Sequence, residues 1–276
     1  MFKTREIPNI TKTTNELFSL TDKTCVITGG SSGIGLEIVK GFASMNGNIV
    51  IIYNSTPVDE LIKEISEEFP KIKITSYQCN LNNVEEIEEM IQFIIKEFGK
   101  IDIFIANAGI GWLNGGINDF KSKDELVNNW EKFIKIDLSS VYYCCAFIGK
   151  VFAKQGFGSL ILTSSMSGYI INIPQLQTPY NVVKAGIRQL SKSLSIEWSN
   201  IGNGKIRVNS VSPGYVKTKL VEKMDPQLVN QWSNSIPLGR MANPKEIVGA
   251  YVYLASDASS YTTGTDIIVD GGYTSV

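Results

Sequence analysis

The sequence predicts a doubly wound α/β fold, a single domain built on a seven-stranded parallel sheet with helices on both faces. Two observations carry the expectation. Short apolar, β-branched runs alternate along the chain with stretches whose apolar residues recur at helical spacing, the pattern of repeated β-α-β units. The first such run opens directly into a glycine-rich turn and an amphipathic stretch, Gly29-Gly30-Ser31-Ser32-Gly33-Ile34-Gly35. At 276 residues, with 43% hydrophobic and 19% charged residues, the chain suits one large domain with an ample core. It shows no linker and no internal repeat.

Residues 24–28, Thr-Cys-Val-Ile-Thr, are short and β-branched enough to be a buried strand. Ile34, Ile38 and Phe42 then fall at helical spacing. Strand, glycine-rich turn and helix in that order bind a dinucleotide pyrophosphate. The glycines let the backbone turn tightly and approach the phosphates, and the helix N-terminus offers free N–H groups and a partial positive charge. Further strands are predicted at 49–53, 72–77, 101–106, 159–163, 206–211 and 266–270, and helices at 58–69, 124–154, 179–200 and 244–255. Val84, Ile87, Ile91, Ile94 and Phe98 mark another helix, and such a stripe is the ordinary signature of core packing. Pro179 suits the first turn of its helix. In such sheets ligands bind beyond the carboxyl ends of the strands, and segments 29–35, 107–109 and 213–214, with Ser165, all follow strands. Residues 1–20 are polar and mixed in charge, without the apolar core of a signal peptide, and read as an arm that precedes the main domain, residues 21–276.

Composition narrows the chemistry. The chain has no histidine, which removes the commonest general acid/base, His-based serine triads and His-ligated metals. A net charge of −1 and the lack of a basic stripe argue against nucleic acid as a partner. No apolar run is expected to reach membrane-spanning length, so no membrane is expected as a partner. Cys25, Cys79, Cys144 and Cys145 show no C-x-x-C spacing and read as reduced core thiols of a cytoplasmic protein, with no metal site.

Proton transfer therefore falls to Tyr, Lys or a carboxylate. Tyr180 and Lys184 stand at i and i+4 in a predicted helix, so they share one face. A lysine ammonium beside a phenol favours the phenolate and fits the tyrosine to donate or accept a proton. Alone the pair is a common accident of sequence, and its company distinguishes it.

That company resembles the short-chain dehydrogenase/reductase family. Thr28-Gly29-x-x-x-Gly33-x-Gly35 is similar to the family's cofactor motif, and Asn107-Ala108-Gly109 to its N-A-G motif. Ser165, Tyr180 and Lys184 match its catalytic serine, tyrosine and lysine, Pro213-Gly214 its P-G motif near the nicotinamide, and Asp270-Gly271-Gly272 its C-terminal ending. The matches run in order from Thr28 to Gly272. Within the family, Val141-Tyr142-Tyr143-Cys144, Asn172-Ile173-Pro174-Gln175 and the ending Asp270 to Thr274 resemble yeast carbonyl reductases and sorbose reductases.

The resemblance implies a Rossmann-type dinucleotide-binding and catalytic domain. In it Tyr180 protonates a carbonyl oxygen, Ser165 hydrogen-bonds that oxygen, and Lys184 tunes Tyr180 and holds the nicotinamide ribose. It also implies a homotetramer, for which apolar Val141, Tyr142, Tyr143 and Phe147 on the long helix are a sequence hint. Asp137 falls where many relatives carry a catalytic Asn that anchors a relay water, and it is expected to hold that water still. By the same resemblance the cofactor contacts are Gly29, Ser31, Ser32, Gly33, Ile34 and Gly35 at the glycine turn, Asn80 and Leu81 near the adenine, and Asn107, Ala108 and Gly109. Pro213, Gly214, Val216 and Thr218 complete them on the nicotinamide side.

NAD-using relatives close the second strand with an acidic residue for the ribose. Here Tyr53 stands in that place, followed by Asn54 and Ser55. No carboxylate repels a 2′-phosphate, and Ser31, Asn54 and Ser55 offer it hydrogen bonds, so NADP(H) is the expected cofactor even without an accompanying Arg or Lys. Substrate walls are expected from 110–116, 170–174 and 215–235, with Trp112, Tyr215 and Trp232 as apolar surface. No basic cluster marks a phosphate or carboxylate. The expected substrate is a small neutral ketone, ketose or keto ester, reduced to an alcohol. A 3-oxoacyl-thioester reductase and a catalytically idle nucleotide-binding regulator are the alternatives.

Overall fold

The computed structural model describes residues 2–219, 221 and 224–276. Residues 1, 220, 222 and 223, which fall in the expected arm and the expected 215–235 wall, lie outside the described residues. Seven strands form one sheet: β1 (Thr24–Thr28), β2 (Asn48–Tyr53), β3 (Ile74–Gln78), β4 (Ile103–Ala106), β5 (Gly158–Thr163), β6 (Ile206–Pro213) and β7 (Asp266–Val269). Their order is β3-β2-β1-β4-β5-β6-β7, and every neighbouring pair is parallel. The fold is the single doubly wound Rossmann-like domain that the sequence predicts.

Side chains alternate along each strand between two cores. Val26, Val50, Phe104 and Leu160 pack with Ile87, Ile94, Ile148 and Val183 on one face. Cys25, Ile27, Ile49 and Ile51 pack with Ile38, Phe42, Ile247 and Tyr251 on the other. Burial on both faces is why these strands read as continuous apolar runs rather than alternating ones.

The helical layers are α2 (Gly33–Ser44), α3 (Asp59–Glu68), α4 (Val84–Phe98), α7 (Thr178–Glu197) and α9 (Pro244–Ala255), together with one long helix that departs from expectation. It runs as α5 (Lys123–Ile134), a π-helical turn (Lys135–Ser139) and α6 (Ser140–Gln155). Such turns recur at functional sites because they re-aim a side chain, and here Asp137 sits buried within the widened turn. Over its most apolar 18 residues the long helix has a mean hydropathy of 1.3, enough by length and composition to cross a membrane. This corrects the expectation that no apolar stretch reaches that length. The hydropathy arises because Val141, Cys144, Cys145, Ile148 and Phe152 pack into the core. Val141 thus belongs to the interior, and the exposed apolar surface of this helix is Leu126, Val127, Trp130 and Tyr142.

Two short helices escaped the sequence reading. α1 (Thr14–Phe18) is started by a capping box between Thr13 and Glu16. α8 (Pro226–Asn234) is started by Asp225, whose carboxylate accepts the Gln227 N–H, with Pro226 in the first turn. Both are too short for periodicity to stand out. Ahead of α1, Arg5 donates to the Ser199 carbonyl at 2.6 Å and Lys12 pairs with Asp257 at 2.6 Å.

Candidate active site

The strand order reverses between β1 and β4, and beyond their carboxyl ends lies a cavity of about 950 Å³. Open α/β sheets bind ligands at such a switch point. Thr28 ties the two strand ends together. Its Oγ accepts the N–H groups of Asn107 (2.9 Å) and Ala108 (3.0 Å) and donates to the Ile105 carbonyl (3.2 Å), while Asn107 Nδ2 donates to the Thr28 carbonyl (3.1 Å). Gly29, Asn107, Ala108 and Gly109 consequently share one cavity wall. A Cβ on Gly35 would collide with the Gly29 carbonyl oxygen, so only glycine lets α2 begin this close to the turn. Ser32 precedes α2 without a side-chain capping bond, which leaves the first N–H groups of this 12-residue helix free.

Ser31, Ser32, Gly33, Ile34 and Gly35 line the cavity around that helix end. Tyr53 closes β2, and Asn54 and Ser55 continue the wall with no carboxylate among them. Asn80 and Leu81 lie on the same side, the Asn80 N–H bonded to Glu86 at 2.8 Å. Pro213 ends β6, and Gly214 and Val216 follow it into the cavity wall, with Thr218, which approaches Gly33.

α7, with Pro179 in its first turn, carries Tyr180 and Lys184 into this cavity. Lys184 Nζ lies 5.4 Å from the Tyr180 ring centroid, 3.6 Å from Asp137 Oδ2 and 3.5 Å from the Thr163 carbonyl oxygen. Asp137 Oδ1 accepts the Ile110 N–H at 2.8 Å, whereas Oδ2 accepts no hydrogen bond from the described residues. A Cβ on Gly109 would stand 2.7 Å from that Oδ2, so glycine is what lets the loop after β4 meet the π turn. Burial pushes the Asp137 carboxyl above the ordinary carboxylate range, opposed by the Lys184 ammonium and the Ile110 N–H.

Ser165 caps the short turn Met166–Gly168, its Oγ accepting the Ser167 N–H at 3.2 Å and donating to Ser167 Oγ at 3.1 Å. Ser164 Oγ donates to the Lys184 carbonyl at 2.8 Å, which anchors this turn to α7. On the other side Tyr180 meets Phe133 with ring centroids 6.2 Å apart, and Trp112 packs edge-on against Phe133 at 5.4 Å. The structure thus brings Ser165, Tyr180, Lys184 and Asp137 to one cavity with every predicted cofactor-contact residue.

Of the predicted substrate walls, Ile110–Leu113, Tyr215 and Trp232 line the cavity, whereas of 170–174 only Asn172 does, because Ile171 and Ile173 turn outward to solvent. Ser167 and Gln177 escaped the sequence reading, although both line the cavity. The signal was present as an amide-rich run, Asn172 to Gln177, directly before Tyr180. Among the described residues no group of three His, Cys, Asp or Glu is arranged to hold a metal.

Comparison with known proteins defines the class. A family model described as "Enoyl-(Acyl carrier protein) reductase" matches residues 29–274. The chain is 46% identical to a probable NADP-dependent mannitol dehydrogenase of Yarrowia lipolytica, covering 97% of this chain and 93% of that protein. It is also 46% identical to a sorbose reductase of Candida albicans, covering 97% and 92%. The crystal structure of an NADPH-dependent 3-quinuclidinone reductase from Rhodotorula rubra superposes with a TM-score of 0.90 at 34% identity, covering 99% of this chain and 98% of that one. A short-chain type dehydrogenase/reductase from Mycobacterium marinum follows at 0.86 and 34%, covering 94% and 98%. The chain belongs to the short-chain dehydrogenase/reductase family. It is an oxidoreductase of the short-chain type acting on a small molecule.

Proposed function

We propose that this enzyme interconverts a ketose and its polyol with NADP(H), with Tyr180 as the general acid of reduction. The observation that carries this reading is the convergence of Ser165, Tyr180 and Lys184 on the cavity that also holds the uncapped N-terminus of α2. Mannitol dehydrogenase and sorbose reductase, the names borne by relatives at 46% identity, support the substrate class. An L-xylulose reductase of Hypocrea jecorina at 38% identity supports it further.

The chain's residues fit the cofactor. The glycine turn and the first N–H groups of α2 hold the pyrophosphate. Tyr53, Asn54 and Ser55 receive the adenosine ribose, and no carboxylate there opposes a 2′-phosphate. Lys184 and Tyr180 hold the nicotinamide ribose. When bound, NADPH supplies the hydride.

Ser165 Oγ–H donates to the substrate carbonyl oxygen and orients it. Tyr180 Oη passes its proton to that oxygen as negative charge develops there, and the Lys184 ammonium stabilises the phenolate left behind. In the direction of oxidation the same phenolate takes the proton from the alcohol. Asp137 Oδ2 and Lys184 Nζ, 3.6 Å apart, are placed to share a water that returns the proton to Tyr180.

The enzyme assembles as a homotetramer in the cytoplasm. The exposed apolar surface of α5 and α6 supports the assembly, and four unpaired thiols support the compartment. The test of the activity is NADPH consumption with D-fructose, L-sorbose, L-xylulose, 2,3-butanedione and an acetoacetyl thioester. Turnover of at least one ketose is expected, and turnover of the thioester alone overturns the reading.

A further inference from the structure

We infer that Asn172, Gln175, Gln177 and Tyr215 form a hydroxyl-reading subsite that selects polyhydroxy ketoses over ketones with bare carbon chains, an inference that rests on the ketose reading above. The four side chains close a ring on the cavity wall. Gln177 Nε2 donates to Asn172 Oδ1 at 2.5 Å, Asn172 Nδ2 to the Tyr215 hydroxyl at 3.2 Å, that hydroxyl to Gln175 Oε1 at 3.4 Å, and Gln175 Nε2 to Gln177 Oε1 at 3.1 Å. Gln177 Nε2 also donates to Ser167 Oγ at 3.3 Å, and Ser167 is bonded to Ser165. The ring is therefore joined to the serine that faces the reacting carbonyl.

The burial pattern of this segment inverts the usual partition. Asn172 and Gln177 are 2% and 9% exposed, whereas Ile171 and Ile173, which flank Asn172, are 70% and 71% exposed. Turning amides inward and isoleucines outward brings no core stabilisation, and a buried polar group is the informative departure. Its return is hydrogen-bonding capacity. Each primary amide carries two N–H groups and a carbonyl oxygen with two lone pairs. Among the described residues Gln177 has spent both N–H groups, but Asn172 and Gln175 each keep one, and each ring carbonyl keeps a lone pair. Tyr215 is held by stacking on Trp232 at 4.8 Å and edge-on against Tyr273 at 5.5 Å, and burial keeps its phenol protonated.

A sugar hydroxyl both donates and accepts, so successive hydroxyls of a ketose pair with these free N–H and carbonyl groups. A bare methylene chain leaves them unpaired, the situation in which polar sites discriminate most strongly. The ring carries no charge, which suits a neutral polyol rather than a phosphorylated one.

The test compares kcat/KM for D-fructose or L-sorbose with kcat/KM for hydroxyl-free 2,3-butanedione, in the parent enzyme and in Gln175→Met and Tyr215→Phe. Gln175 is only half-buried, and Phe preserves the stack on Trp232, so neither change threatens the fold; thermal melting verifies this. The ketose-to-diketone ratio is expected to fall about tenfold in each variant, the scale of one lost hydrogen bond to substrate. A ratio within about twofold of the parent's in both variants, including proportional loss on both substrates, overturns the subsite and leaves the ketose reading standing. A parent enzyme that reduces no ketose overturns the reading beneath it.

Discussion

Asp137 Oδ2 and Lys184 Nζ stand 3.6 Å apart, each in a buried side chain, one on the π turn of the long helix and the other on α7. The ammonium lies within 5.4 Å of the Tyr180 ring centroid as well, so the carboxylate that holds the lysine in place draws on the same positive charge that serves the phenol. Asp137→Asn is expected to stay active, because the amide oxygen still accepts the Ile110 N–H. With the carboxylate gone, its titration no longer contributes, so the pH–rate profile is expected to be displaced from the parent's. Asp137→Leu is expected to lose kcat by about 10-fold or more while melting cooperatively. An unchanged kcat and pH profile in Asp137→Leu removes Asp137 from the mechanism.

The same residue makes a stability prediction with a definite sign. Folding raises the Asp137 carboxyl above its unfolded value, mainly by burial. Its contribution to stability is therefore complete below the unfolded pKa of about 3.9 and is lost as pH rises through the folded value. Asp137→Asn has no such loss. The melting temperature of the parent relative to Asp137→Asn is expected to decline as pH rises from about 4 toward neutrality, which thermal melts across that range will measure.

Tyr180→Phe keeps the ring against Phe133 and removes only the proton donor. Turnover is expected to drop by about 10²- to 10⁴-fold, the usual worth of a general acid, with NADPH affinity nearly intact by fluorescence titration. Lys184→Ala is expected to weaken both turnover and NADPH binding. Retention of most of the parent rate in Tyr180→Phe would show that the acid lies elsewhere.

Tyr53 ends β2 where a carboxylate would meet the adenosine ribose. Tyr53→Asp is expected to lower the NADPH-to-NADH ratio of kcat/KM by at least about tenfold, the equivalent of about 1.4 kcal/mol of repulsion against the 2′-phosphate. Equal efficiency of the unaltered enzyme with both cofactors contradicts the assignment.

Leu126, Val127, Trp130 and Tyr142 are exposed on the outer side of α5 and α6. Sedimentation at micromolar concentration is expected to give a species about four times the 30.5 kDa of one chain. Replacing Trp130 and Tyr142 together by Glu is expected to yield smaller species. A 30.5 kDa species alone in the unaltered protein rules the assembly out.

Linear pattern was sufficient for the fold because strands buried on both faces are apolar where they cross the core, as at 25–27, 49–52 and 103–106. The glycine turn was legible for an equally local reason: Gly35 must lack a Cβ to lie against the Gly29 carbonyl six residues before it. The spacing of Tyr180 and Lys184 needed nothing beyond helix geometry. Asp137 could be located by spacing, but its facing Lys184 depends on a π turn that a periodic apolar stretch does not announce. The amide ring was beyond reach for a related reason. Asn172 meets Tyr215 across 43 residues of sequence, and the inward turn of Asn172 and Gln177 depends on tertiary partners. Periodicity records which faces must leave water, whereas a polar network is specified only when segments distant in the chain are folded onto one another.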